Sequence, residues 1–305
     1  YWRDWSSDVC SSDLTSHLDR PIGSCHSALL ETMNHVPPSP DMPFVTLVGA
    51  GPGDPELLTL KAVKAIASAT VILVDDLVHP DVLQHANPGA RIIAVGKRGG
   101  CQSTPQAFIE KLMVQAALAG EQVVRLKGGD PLMFGRGGEE QAHLLAHGVG
   151  VRVINGVTAG LSAAQQLGVS LTHRQHAHGV LFITGHAAVA QSTYEPDALD
   201  WPELARTAQR NRLTLVIYMG VQTALSLQQG LLKGLVATTP VAVVQNASLP
   251  SSRIFQTSLG QLHALLANEK IQSPAIIVVG DVLKGLSEWQ SQADTQPHDP
   301  EAKWA

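Results

Sequence analysis

The stretch FVTLVGAGPGDPELLTLKAVKAIA, residues 44–67, begins as a short apolar strand, continues through a glycine-rich loop and ends in a helical pattern. It looks like a nucleotide-binding turn, but Asp54 stands where the dinucleotide fingerprint needs its third glycine. Pro52 and Pro55 each remove a backbone N–H that a phosphate would need. The Asp54 carboxylate would repel a phosphate charge by ~4 kcal/mol at ~4 Å and an effective dielectric of ~20. The loop therefore disfavours anions and suits a neutral or positive ligand, such as a sulfonium.

The alternation of strand and helix patterns continues beyond this stretch and predicts two α/β domains. The first domain, 44–170, is predicted to contain a parallel sheet with strands at 44–49, 70–75, 91–95, 122–127 and 151–154. The second domain, 171–283, is predicted to contain strands near 179–184, 213–218, 240–245 and 275–279, with helices around 201–208, 221–234 and 258–267. A further extended segment at 251–258 would make the second sheet mixed.

Both ends of the chain are predicted to lie outside these domains. Residues 4–14, DWSSDVCSSDL, resemble a translated sequencing adapter, so residues 1–14 are interpreted as an artefact. The rest of the leader, to residue 43, is polar and rich in proline, and we expect it to be disordered. The tail, 284–305, lacks periodicity and is expected to be mobile. A true start at Met33 or Met42 fits this interpretation.

Composition limits the classes of partner. The chain has 305 residues, 44% hydrophobic content and a formal charge of −5, which argues against a nucleic-acid partner. No apolar run approaches the ~20 residues of a membrane span. The cysteines Cys10, Cys25 and Cys101 have neither metal spacing nor an even count, and the histidines at 173–178 lack ligand partners at a suitable spacing. We therefore predict a cytoplasmic protein with reduced thiols, no membrane partner and no metal.

Glycines and charged residues follow every strand of the first predicted sheet. Because ligands bind beyond the carboxyl ends of strands in open α/β sheets, these segments predict one site. They are GAGPGD at 49–54, Asp75 and Asp76, GKRGG at 96–100, GGDP at 128–131 and NGVTAG at 155–160. Side chains alternate along a strand, so Asp75 and Asp76 are predicted to face opposite ways, with only one in the cleft. The sequence leaves open which of the two it is.

Nine segments in this order resemble the tetrapyrrole (precorrin) methylase family. The resemblance covers about residues 44–283. The segments are VGAGPGDPELLTLKA at 48–62, Asp75-x-Leu77-Val78, GKRGG at 96–100, RLKGGDPLMFGRGGEE at 125–140, GVTAG at 156–160, LTHR at 171–174, TGH at 184–186, YMG at 218–220 and SPAIIVVGDV at 273–282.

The resemblance implies an enzyme with an active-site cleft between two α/β domains, usually a homodimer. It implies S-adenosyl-L-methionine as co-substrate, S-adenosyl-L-homocysteine as product and no metal. By similarity, Asp75 matches the proton acceptor and Lys97 the proton donor. The residues implied to bind the cofactor are Pro52, Gly128, Gly129, Asp130, Met133, Thr158, Ala159, Met219, Ala247 and Ala275.

The implied reaction is C-methylation of uroporphyrinogen III, twice, giving precorrin-2 for sirohaem or cobalamin synthesis, in a stand-alone enzyme rather than a fused one. Methyl transfer from a sulfonium mainly requires alignment, which can lower the barrier by ~7–11 kcal/mol. A carboxylate such as Asp75 can then take a proton from the ring. The substrate carries eight carboxylates, and we assign Arg98, Arg136 and Arg174 to bind them.

Some residues depart from the family pattern, and other functions stay open. Asn155 and Ser170 stand where proline is usual, and Ala247 stands where glycine is usual, so we expect position 247 to lose glycine's backbone freedom. Met219 fits a core position as well as a cofactor wall. The alternatives are a methyltransferase of the same fold for a later precorrin or a diphthine-type substrate, and a non-catalytic tetrapyrrole or S-adenosylmethionine sensor. A nucleotide-binding protein is disfavoured by the first loop.

Overall fold

The computed structural model of the chain describes residues 42–96, 104–185 and 199–284. The predictions for the leader before residue 42 and for the tail after residue 284 lie outside these ranges. Within the described residues, the predicted α/β fold is confirmed as two five-stranded sheets. No helix in these three ranges has the length and apolar character that crossing a membrane requires.

The first sheet is parallel throughout, as predicted, with the strand order β3-β2-β4-β1-β5. Its carboxyl ends therefore meet along one edge. The strands are β1 (Phe44–Gly49), β2 (Val71–Val74), β3 (Arg91–Ala94), β4 (Val123–Lys127) and β5 (Gly150–Ile154).

Helices cover both faces of the first sheet. Helix α1 (Leu60–Ser68) buries Ala62 and Ile66 against one face, because apolar residues four positions apart lie on the same side of a helix. Helices α2 (Gln106–Leu118) and α3 (Gly137–Ala146) pack on the other face. Since both faces are covered, the central strands β1 and β2 are almost entirely apolar, as expected of a parallel sheet, whereas β4 also buries Arg125 and Lys127.

The second sheet is mixed, as predicted, with the strand order β6-β7-β10-β8-β9. Strands β6 and β7 are parallel, and the remaining pairs are antiparallel. The strands are β6 (Gly179–Thr184), β7 (Leu213–Tyr218), β8 (Pro240–Gln245), β9 (Arg253–Ser258) and β10 (Ala275–Val279). The helices on one face are α5 (Trp201–Asn211), α6 (Ala224–Leu231) and α7 (Leu262–Asn268).

The helix that follows β5 covers the other face of the second sheet. This helix, α4 (Ala159–Leu167), buries Ala163 and Leu167 against Val216 and Ile276. The sequence placed it at the end of the first predicted domain, yet its core contacts are with the second sheet. The domain boundary at residue 170 stays a prediction, and the packing favours one before α4.

Two capping residues precede the first helix. Asp54 caps only a 3-10 turn, Pro55–Leu57, by accepting a hydrogen bond from the N–H of Glu56 at 2.8 Å. Helix α1 begins later, and Thr59 caps it through the N–H of Ala62 at 3.1 Å. Asp54 and Thr59, five positions apart, therefore cap two successive turns.

Candidate active site

A cavity of about 530 Å³ lies where the loops that follow the strands of both sheets face one another. This volume lies within the usual range for sites that enclose small ligands. The loops of the first sheet contribute residues from segments 51–53, 75–80, 127–129 and 133–135. The start of α4 contributes Thr158 and Ala159, and the second sheet contributes residues from segments 218–219, 244–249 and 273–276.

Backbone N–H groups of the first loop donate hydrogen bonds to neighbouring loops. Gly51 and Gly129 exchange two backbone hydrogen bonds, of 3.2 and 2.7 Å, and both have positive φ angles that favour glycine. The N–H of Asp54 donates to Ser248 Oγ at 3.0 Å. Because Pro52 has no N–H, little remains here to bind a phosphate, which agrees with the sequence argument.

Three glycines let the loops after β1, β4 and β5 touch. A Cβ atom built on Gly156 would lie 2.2 Å from the carbonyl oxygen of Gly129, and one on Gly49 would lie 2.4 Å from the nitrogen of Gly156. Real side chains never approach a backbone so closely. Glycine is therefore required here because backbone atoms come close together. At these positions the approaching atoms belong to the neighbouring loops.

Asp130 ties two of these loops together. Its Oδ2 accepts hydrogen bonds from Asn155 Nδ2 and from the N–H of Gly156, both at 3.1 Å, and its Oδ1 accepts from the N–H of Leu132 at 2.8 Å. The first of these bonds explains Asn155, because the proline that is usual at this position has no donor. Asp130 itself does not line the cavity.

Asp75 and Asp76 both line the cavity. Strand β2 ends at Val74, so the alternation of side chains stops before the pair, and the prediction that only one of them reaches the cleft loses its basis. Asp75 Oδ1 accepts a hydrogen bond from the N–H of Asp76 at 3.0 Å, and its Oδ2 lies 3.9 Å from Arg125 Nη2. The Asp76 carboxylate packs on Gly96, where a Cβ atom would lie 1.8 Å from its Oδ1.

Buried charges lie beneath this carboxylate pair. Arg125 and Lys127 occupy alternate positions of β4, and both donate to Glu140 Oε1, from Arg125 Nε at 3.1 Å and from Lys127 Nζ at 3.0 Å. Glu140 is fully buried, and its Oε2 has no hydrogen-bond partner among the described residues. Burial lowers the pKa of Lys127, the nearby Arg125 lowers it further, and Glu140 opposes both effects. Lys127 also lines the cavity.

Tyr218, at the end of β7, connects the second sheet to α4. Its buried hydroxyl accepts from the N–H of Gly160 at 2.8 Å and hydrogen-bonds Thr158 Oγ1 at 2.7 Å. Burial raises the pKa of Tyr218, so the phenol stays neutral. The ring of Phe134, from the loop after β4, lies 4.8 Å from the Tyr218 ring, centroid to centroid.

The loop after β8 does not require glycine's backbone freedom at Ala247. The positive φ angles in this loop belong to its neighbours, at 53° for Asn246 and 68° for Ser248. Ala247 itself needs no glycine-like conformation, so alanine costs nothing there. Ala247 lines the cavity, as does Met219, which is 47% exposed and therefore does not fill a core position.

The family model for "Tetrapyrrole (Corrin/Porphyrin) Methylases" matches residues 45–263. The chain belongs to this family. It is 49% identical over 243 residues to the uroporphyrinogen-III C-methyltransferase of Pseudomonas aeruginosa, covering 79% of this chain and 95% of that protein. It is 45% identical to siroheme synthase 2 of Aeromonas hydrophila, covering 78% of this chain and 49% of that protein. The uroporphyrin-III C-methyl transferase of Thermus thermophilus, solved with S-adenyl homocysteine, superposes with a TM-score of 0.65 at 38% identity, covering 79% of this chain and 93% of that chain.

In this tetrapyrrole methylase, one cavity gathers most of the residues predicted to bind the cofactor. The predicted proton acceptor Asp75 also lines this cavity, whereas Asp130 does not. The predicted cofactor residues on the cavity wall are Pro52, Gly128, Gly129, Met133, Thr158, Ala159, Met219, Ala247 and Ala275.

The cations predicted for substrate carboxylates are not brought to this cavity within the described residues. Arg136 pairs with Glu139 at the start of α3, and this hydrogen bond raises the pKa of Arg136. Arg174 is exposed and does not line the cavity. Lys97 and Arg98 lie outside the described residues.

Sequence reasoning on this methylase missed three functional candidates: Lys127, Phe134 and Tyr218. Lys127 could have been found, because a strand with charges at alternate positions between apolar neighbours must bury a charge. Phe134 and Tyr218 belong to two of the family-like segments, at 125–140 and 218–220. Their contact could not be predicted, because it joins residues that are distant in sequence and lie on different sheets.

Proposed function

We propose that this chain is an S-adenosylmethionine-dependent methyltransferase that methylates uroporphyrinogen III at two carbons to give precorrin-2. One observation carries the proposal. Nine residues implied to bind the cofactor, together with the implied proton acceptor Asp75, line a single cavity in a chain that is 49% identical to a uroporphyrinogen-III C-methyltransferase. The same reaction would serve sirohaem or cobalamin synthesis.

The cavity fits such a co-substrate. Its volume of about 530 Å³ can enclose an adenosine with an amino-acid chain. The first loop offers no phosphate cradle, and S-adenosylmethionine has no phosphate. The wall residues Ala159, Ala247 and Ala275 are small and apolar, which leaves room for a flat base beside the backbone.

The bound co-substrate supplies a methyl group on a positive sulfur. The protein holds this methyl in line with an electron-rich pyrrole carbon, so that a carbon–carbon bond forms as the sulfur–carbon bond breaks and its electron pair stays on sulfur. The ring then carries the positive charge and loses a proton to restore conjugation. We assign that proton to the Asp75 carboxylate, which Arg125 and the N–H of Asp76 hold at the cavity wall.

Turnover with purified protein tests the reaction. Incubation with S-adenosylmethionine and uroporphyrinogen III under reducing conditions should give a product heavier by two methyl groups, measured by mass spectrometry. Asp75→Asn should lower kcat by about 10²–10⁴-fold while S-adenosylhomocysteine binding is retained, because the variant keeps the shape and loses the proton acceptor. The matched control, Asp281→Asn, changes an exposed aspartate outside the cavity and should keep full activity.

Different failures of this test point to different functions. Binding of both ligands without turnover would identify a sensor. Turnover of a later precorrin or a diphthine-type acceptor, with none of uroporphyrinogen III, would identify another enzyme of the same fold. No binding of S-adenosylmethionine or S-adenosylhomocysteine by folded protein would contradict the proposal altogether.

We also propose a homodimer in the cytoplasm. The family resemblance supports the dimer, and three cysteines without a disulfide or metal pattern support a reducing compartment. Light scattering during gel filtration should give twice the chain mass of 32.3 kDa. A monomer at micromolar concentration would contradict the assembly and leave the reaction untouched.

A further inference from the structure

On one wall of the cavity, two exposed apolar side chains belong to residues whose backbone has a left-handed conformation. Phe134 and Met219 are 39% and 47% exposed, and each has a φ of 54°. Bulky residues rarely adopt a left-handed conformation, and such residues cluster where a ligand is held. The two come from different sheets, since Phe134 follows β4 and Met219 follows β7. The backbone at both positions therefore directs a large apolar side chain into the shared space.

The ring of Tyr218 is fixed behind Phe134. Its hydroxyl is tied to Gly160 and Thr158, so the polar end of this side chain is already satisfied. The ring lies between Phe182, at 6.3 Å, and Phe134, at 4.8 Å, with interplanar angles of 52° and 48°. Tilted arrangements are among those that aromatic pairs prefer, and they add to the hydrogen bonds and core packing that hold the Tyr218 ring in place.

The carboxylates that line the cavity lie away from the segments that carry Phe134 and Tyr218. Among the described lining residues, the carboxylates are Asp75 and Asp76, both on the loop after β2, and Asp75 already faces Arg125. The segments beside Phe134 and Tyr218 contribute a single ionisable cation, Lys127, which is paired with Glu140, and no carboxylate. An aromatic face attracts a cation through its quadrupole, and more strongly where water is excluded.

We propose that Phe134 and Tyr218 form an aromatic recess that recognises the positive sulfonium of the methyl donor. The inference rests on the proposed function and deepens it, since it names two residues that recognise the positive charge of the donor. When the methyl leaves, sulfur becomes neutral and loses this attraction. The recess therefore distinguishes donor from product, which otherwise share the adenosine and the amino-acid chain.

Calorimetry with two ligands tests the recess. Phe134→Leu keeps an apolar side chain and removes the π face, so it should weaken S-adenosylmethionine binding by roughly three- to thirtyfold. Neutral S-adenosylhomocysteine should bind the variant as it binds the wild type. Phe134→Tyr, which restores a π face, should recover the affinity for the charged ligand. In turnover, Phe134→Leu should raise KM for the donor without lowering kcat, because the lost contact acts on the bound ground state and weakens as the sulfur loses its charge.

A control in the same loop separates charge recognition from loop structure. Leu132 is 55% exposed and does not line the cavity, so Leu132→Ala should alter neither affinity. Equal loss of both ligands in Phe134→Leu would overturn the proposal and indicate stacking on the adenine instead. No loss of either ligand would overturn it as well. If wild-type protein binds neither ligand, the proposed function fails, a result distinct from equal weakening in the variant.

Discussion

Gly156 is the residue at which the smallest substitution should cost most. A Cβ atom at this position would lie 2.2 Å from the Gly129 carbonyl oxygen and 2.9 Å from Gly49 Cα, and both are backbone atoms that cannot rotate away. We expect Gly156→Ala to lower the free energy of unfolding by about 1–3 kcal/mol, as overpacking does elsewhere. The loops after β1, β4 and β5 would have to separate. Urea unfolding followed by circular dichroism measures the loss.

Gly138 provides the matched control for this substitution. It lies in the first turn of α3, and nothing stands within 4 Å of a Cβ atom built there. Gly138→Ala should therefore raise the free energy of unfolding by about 0.5–1 kcal/mol, because alanine restricts the unfolded chain and favours the helix. Equal losses in the two variants would show that close approach is not the cause.

For single residues, the sequence could predict a residue's type of role but not its contacts or its backbone conformation. The glycines could be predicted to serve a close approach, because only glycine fits such contacts, but the sequence could not say what approaches. Tyr218 and Gly160 are 58 positions apart in the chain, and their hydrogen bond exists only because β7 ends beside the start of α4. The sequence could not show whether position 247 needs glycine's freedom, because family patterns give residue types, whereas φ angles come from the loop.

Secondary structure elements followed the sequence closely, since their signals are local. The ten strands among the described residues lie at or within two residues of the predicted positions, because each is a short run bounded by turn residues. The packing of α4 on the second sheet could not be predicted, because an apolar helix face can pack on either sheet and the sequence does not distinguish between them.

Strand β4 and helix α3 together hold a buried charge network that should respond to pH. Glu140→Gln leaves Arg125 and Lys127 buried without their carboxylate, and breaking such a pair typically costs about 3–5 kcal/mol. Burial already lowers the pKa of Lys127, and loss of Glu140 removes the main opposing effect. We therefore expect the variant to be destabilised most near neutral pH, where Lys127 must carry its charge.

The sign of the pH effect follows from the direction of the shift. With its folded pKa below the ordinary lysine value of 10.5, Lys127 binds fewer protons in the folded state than in the unfolded state between those two values. Stability from this group therefore rises with pH through that window. The difference between wild type and Glu140→Gln should shrink as pH increases from 7 towards 10.5, measured by urea unfolding. A difference that stays constant over this range would contradict the role of Lys127.

At the scale of the whole molecule, the loop after β8 joins the first loop to α4. Gln166 Oε1 accepts from the N–H of Ser248 at 3.0 Å and from Ser252 Oγ at 3.1 Å. Ser248 Oγ in turn accepts from Asp54, and Leu249 packs so closely on Gly53 that a Cβ atom there would lie 2.6 Å from its Cδ2. A ligand in the cavity therefore contacts loops that already bind one another, and it should stabilise both sheets at once.

Hydrogen exchange with a bound ligand tests this coupling. S-adenosylhomocysteine at about 100 times its Kd should add ~2.7 kcal/mol to the free energy of unfolding. Amides of β4 and of β7 should both exchange more slowly, because the cavity draws its walls from the ends of both strands. The control ligand is ATP, which shares the adenosine but brings phosphates that the first loop disfavours through Asp54 and Pro52, so it should protect neither strand. Slower exchange in β4 alone, or equal protection by ATP, would contradict a single cavity built from both sheets for a ligand without phosphate.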